Sequence, residues 1–153
     1  MTKSTPIRAF SVVTLVILLL TGCGSARTMR GPTAPPKTQI VRVGEGRSYT
    51  DVSADELAAL LETRDFVLIN VHVPYEGHIV GTDAFVPFDD IEGSLGKPPT
   101  DRDAKLLVYC RSGGMSAIAA RKLVDLGYTH VVNLDGGMIA WEAAGQSILH
   151  EPR

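Results

Sequence analysis

The chain has 153 residues, 15 Lys and Arg against 17 Asp and Glu, and 44% hydrophobic residues. That length leaves room for one domain of ordinary size with short appended segments, and two domains would be cramped. The chain carries no nucleic-acid motif and no internal repeat, so neither a nucleic-acid partner nor a solenoid is expected. Its apolar residues crowd toward the start, where Lys3 and Arg8 precede an uncharged run from Ala9 to Leu20. Such a run is short for a bilayer span and reads as a signal peptide over residues 1–22.

The run ends at Leu20-Thr21-Gly22-Cys23, which resembles the lipobox of bacterial lipoproteins. The resemblance implies that Cys23 becomes the first mature residue and carries a diacylglycerol on its sulfur. Two acyl chains hold a protein on a membrane where one chain holds it only marginally. The expected location is therefore extracytoplasmic, anchored by lipid in the cell membrane or the outer membrane. Residues 23–47 contain Pro32, Pro35 and Pro36, with Arg27, Arg30, Lys37, Arg42 and Arg47 against Glu45. They read as the lipidated cysteine followed by a flexible basic tether, with the domain over 48–153.

From Ser48 onward short β-rich runs alternate with amphipathic helical stretches, the pattern of an α/β domain with a mainly parallel sheet. Ser53 and Glu56 form a capping box that opens a helix through about Glu62, with Leu57, Leu60 and Leu61 on one face. Phe66 to Val71 is a strand buried on both sides, and Ala84 to Pro87 is a shorter one. A polar stretch rich in Gly, Pro and Asp follows, and then Lys105 to Tyr109 forms a strand that leads directly into Cys110. Gly113 and Gly114 open a helix from about Met115 to Leu126, which Gly127 stops. A last strand over Val131 to Leu134 precedes a helix that contains Trp141 and stops near Gly145.

The segment Cys110-Arg111-Ser112-Gly113-Gly114-Met115-Ser116 thus joins a strand end to a helix start. Two glycines allow the backbone to curl with its N–H groups inward, and the helix adds its positive dipole end. Such a loop should stabilise a thiolate and a terminal sulfur anion carried on it, on a cysteine expected to be partly exposed. With Cys23 lipidated, Cys110 has no partner for an internal disulfide. His72, His78, His130 and His150 lack the spacing of a zinc site, so no metal is expected. Gly136 and Gly137 lack the lysine of a phosphate loop and read as a tight turn before a helix.

The loop resembles the Cys-Arg-Ser-Gly-x-Arg-Ser active-site loop of single-domain rhodaneses, the thiosulfate and persulfide sulfurtransferases. Asn70-Val71-His72 with Glu76-Gly77-His78-Ile79-Val80-Gly81, and Leu134-Asp135-Gly136-Gly137-Met138 with Trp141 and Gly145, resemble two further motifs of that family in the same order. The resemblance implies a five-stranded, mainly parallel sheet with helices on both faces, and sulfur transfer without a cofactor. It makes Cys110 the nucleophile that becomes a persulfide, with Arg111 attracting the anion. Ser112, Gly113, Gly114 and Met115 would supply backbone N–H groups, and Ser116 a hydroxyl. The expected partners are a small sulfur compound or a protein persulfide, and the membrane through the anchor. Met115 stands where the family usually has arginine, and Asn70 and His72 where it has Asp and Arg. Those changes leave open a second reading, a module that binds or senses redox state without turnover. A cysteine phosphatase or arsenate reductase would need an oxyanion-clamping arginine later in the loop, which this sequence lacks.

Overall fold

The computed structural model describes residues 38–94 and 99–151. The expected signal peptide, Cys23 and the tether as far as residue 37 lie outside the described residues. Strands β1 (Gln39–Gly44) and β2 (Arg47–Val52) form an antiparallel hairpin. Its two central turn residues, Glu45 and Gly46, both have positive φ, the geometry that matches the twist of adjoining strands. The tether expected to reach residue 47 therefore stops short of residue 39. Val41 and Val43 alternate with exposed neighbours and pack on the core, which is what makes this segment a strand.

Helix α1 (Ala54–Glu62) opens on the expected capping box. The Glu56 N–H donates to Ser53 Oγ at 3.3 Å, and the Ser53 N–H donates to the Glu56 carboxylate at 2.7 Å. Of its three leucines, Leu57 is fully buried and Leu61 packs on the core. Leu60, expected on the same face, is instead 39% exposed and lines a cleft with Phe66, Leu107 and Val132. Strands β3 (Val67–Asn70), β4 (His78–Ile79), β5 (Ala84–Phe85) and β6 (Lys105–Tyr109) come next, followed by α2 (Gly114–Asp125), β7 (His130–Leu134), α3 (Gly137–Ala143) and β8 (Ile148–Leu149).

The main sheet has the order β1-β2-β7-β6-β3-β5. Every pairing from β2 to β5 is parallel, which gives the expected five-stranded parallel sheet. The strand β1 extends it as a sixth, antiparallel member. The strands β4 and β8 pair separately. Alternation along β6 divides the core into two layers. Leu106, Val108 and Cys110 face α2 with Ala119, Ala120 and Leu123, whereas Leu107 and Tyr109 face Leu57 of α1 with Met138 and Trp141 of α3. Helices thus cover both faces, and all five parallel strands present their C-terminal ends along one edge. Open α/β sheets bind ligands at that edge.

Candidate active site

Cys110 is the first residue beyond β6, at that C-terminal edge. It continues the alternation of Leu106 and Val108 toward α2 and is only 1% exposed. The partly exposed thiol expected from the sequence is therefore a buried one, because the strand period carries it inward. Its Sγ accepts a hydrogen bond from the Gly113 N–H at 3.1 Å. Gly113 closes that three-residue loop with φ +92° and caps α2, whose N-terminal dipole end lies beside the sulfur.

The outer side of the loop is held by α3. The Cys110 carbonyl accepts from the Met138 N–H at 2.9 Å, and the Arg111 carbonyl accepts from the Ile139 N–H at 3.0 Å. Open N–H groups at the start of α3 are satisfied in this way by the loop itself. A trans peptide directs its N–H opposite to its C=O, so the N–H groups of Arg111 and Ser112 aim away from α3. Gly137 makes the approach possible. Its φ is +57°, and a Cβ there would lie 2.8 Å from the Arg111 carbonyl carbon and closer still to the Cys110 oxygen. The expected tight turn at Gly136-Gly137 is thus also a packing surface for the cysteine loop.

Arg111 projects to the surface, 54% exposed, and its Nη1 donates to the Glu76 carboxylate at 2.7 Å. The same carboxylate oxygen lies 3.0 Å from His72 Nε2. Arg111, with help from His72, holds the Glu76 carboxyl below the usual carboxylate range, and Glu76 in turn raises the Arg111 guanidinium. Arg111 is therefore the cationic half of an ion pair. Ser112 and Gly114 are exposed, and Met115 is half-buried and packs against the core cluster. Ser116 is fully buried, and its hydroxyl donates to the Gly113 carbonyl at 3.1 Å, closing the first turn of α2.

Asn70 is also structural. Its side chain donates to the Gly77 carbonyl and accepts from the His72 N–H, each at 2.9 Å, which bends the chain so that Glu76 reaches the loop. The sequence placed Glu76 in a motif without giving it a charge partner. Its spacing of four from His72 was visible, but nothing in the order of residues ties it to Arg111.

The family described as the Rhodanese-like domain matches residues 53–144 of this chain. A sulfurtransferase from Allochromatium vinosum is 38% identical over 94 residues, covering 59% of this chain and 84% of that protein. A thiosulfate sulfurtransferase from Pseudoalteromonas translucida is 31% identical over 100 residues, covering 63% and 92%. Among solved structures, a rhodanese-like domain protein from Staphylococcus aureus superposes with a TM-score of 0.56 at 26% identity, covering 67% of this chain and 98% of that one.

Proposed function

The chain belongs to the rhodanese-like domain family, and from that premise we propose that it is a sulfurtransferase carrying sulfane sulfur on Cys110. In the first half-reaction the Cys110 thiolate attacks the outer sulfur of a donor, either thiosulfate or a persulfide. A new S–S bond forms on Cys110, the donor's S–S bond breaks, and sulfite or a thiolate leaves with the electron pair. In the second, an acceptor thiolate attacks the outer sulfur and Cys110 departs as thiolate. The observation that carries this reading is the Gly113 N–H directed at Sγ within a loop that begins a helix. Donors fixed in this way stabilise a sulfur anion without reorganising.

Incubation with a persulfide donor should add one sulfur atom to the intact protein, located on Cys110 and absent from Cys110→Ser. The burial of Cys110 favours one competing reading, a module that binds without turnover. That module would gain no sulfur from any donor.

We propose further that residues 1–22 direct export and that Cys23 bears the lipid, a reading supported by the apolar run and the four residues that end it. Cys23→Ser should move the protein from the membrane fraction to the soluble fraction. Retention of the variant in the membrane would point to an uncleaved helix instead.

A further inference from the structure

We propose that Glu76 sets the donor class of this site: by pairing with Arg111 it leaves the segment from Cys110 to Ser116 without an unpaired cationic side chain, so that the site takes sulfur from alkyl hydropersulfides, which carry one negative charge at most, in preference to the thiosulfate dianion. This rests on the sulfur-transfer reading above and narrows it.

Arg111 is the only cation in the segment from Cys110 to Ser116. Its partner Glu76 is anchored from two directions, by Arg111 at 2.7 Å and by His72 at 3.0 Å. His72 is itself largely buried and its backbone is fixed by Asn70. An Arg111 side chain that swung toward a dianion would abandon a carboxylate that stays in place, and that carboxylate would then repel the same dianion. Glu142 on α3 adds a second negative charge within electrostatic reach of Arg111. Met115 contributes an apolar side chain to the core and no charge to the loop.

Burial acts in the same direction. Cys110 is 1% exposed and belongs to the buried cluster that includes Ile69, Val71, Val108 and Ala119, so a donor must bring its sulfur into an apolar layer. Desolvating a dianion there costs far more than desolvating a hydropersulfide, which carries one negative charge at most and reacts through its protonated form. The step is balanced: the Cys110 thiolate bonds to the terminal sulfur of R–S–SH, the donor S–S bond breaks, and R–S⁻ leaves with the electron pair and takes a proton from water. Cys110 then carries –S–SH. Glu76 acts through Arg111 and is a positioning residue.

The test compares inorganic thiosulfate with N-acetylcysteamine hydropersulfide, a probe whose only ionisable group is the hydropersulfide itself, on the purified chain. Wild-type protein should show a kcat/KM at least roughly tenfold higher with the hydropersulfide, about what one unbalanced charge is worth to a nearby dianion in water. Its thiosulfate kcat/KM should stay flat or rise as NaCl is added, because the loop cation Arg111 is already paired with Glu76. Glu76→Gln should lower the KM for thiosulfate roughly tenfold, with the hydropersulfide rate changed by less than about twofold. A wild type that prefers thiosulfate, or loses thiosulfate activity steeply with salt, overturns the proposal, as does an unchanged donor ratio in a folded Glu76→Gln. Should that variant fail to fold, the wild-type donor ratio and salt dependence decide alone. If neither donor places sulfur on Cys110, the sulfur-transfer reading falls and takes this one with it.

Discussion

A Cβ on Gly137 has nowhere to go. The residue sits at positive φ and faces the carbonyl groups of Cys110 and Arg111, to which the next two N–H groups of α3 are bonded. Gly137→Ala combines backbone strain with displacement of the cysteine loop, and the expected loss is about 2 kcal/mol or more in urea unfolding. Gly127→Ala is the control. Gly127 also has positive φ, but a Cβ there meets nothing within 4 Å, so only the conformational cost remains, about 1 kcal/mol. The Gly137 variant should also alkylate faster at Cys110, while the Gly127 variant should not. Neither this contact nor the Glu76–Arg111 pair was legible in the sequence. A glycine pair announces a turn, and an acidic residue near a histidine announces a local pair, but partners 26 and 35 positions away are joined only by the folded sheet.

At the scale of elements, β6 shows how one strand serves both sides of the site. Tyr109, directly before the cysteine, is fully buried on the opposite face, where its hydroxyl accepts from the Ile79 N–H at 3.0 Å and lies 2.6 Å from Thr82 Oγ1. Burial pushes its pKa up to about 12 from 10.0. The folded state therefore holds this proton more tightly than the unfolded chain. That contribution to stability is fully present below pH 10 and is lost as the pH rises through about 12, amounting to roughly 3 kcal/mol. Tyr109→Phe should flatten that alkaline fall in denaturant titrations, leaving the smaller slope of Tyr49, which burial also raises. At neutral pH the variant should lose about 1 kcal/mol or more, because the buried Ile79 N–H loses its acceptor. Elements of this kind were readable: a capping box, a buried apolar run and a terminating glycine each leave local marks. The strands β4 and β8, two residues each, leave none, since their pairing is set by the β3 and α3 segments that bring them together.

For the whole molecule, the parallel sheet could be inferred because β and α segments alternate, which forces crossovers and buries the strands on both faces. The edge could not. The strand β1 follows a proline-containing stretch, and its core contacts amount to Val41 and Val43, too short an alternation to stand out against Arg42, Glu45 and Arg47. Yet it closes the sheet on the β2 side, where Ile40, Val41 and Arg42 pair with Thr50, Tyr49 and Ser48. Deletion of residues 1–46 would leave β2 with a row of unpaired backbone groups and would uncover Tyr49, now 3% exposed. An open edge of that kind templates pairing with another chain. The truncated protein should be less stable by about 2 kcal/mol, the burial of two partly covered valines. It should also self-associate with rising concentration in sedimentation velocity, more than a chain beginning at residue 38. Arg47 opposes such association with one charge at one end of β2, paired there with Asp125 of α2. If the truncated protein sediments as a single species at every concentration, that charge protects the edge and β1 is dispensable for solubility; association would show that the hairpin is what keeps the sheet from extending into a neighbour.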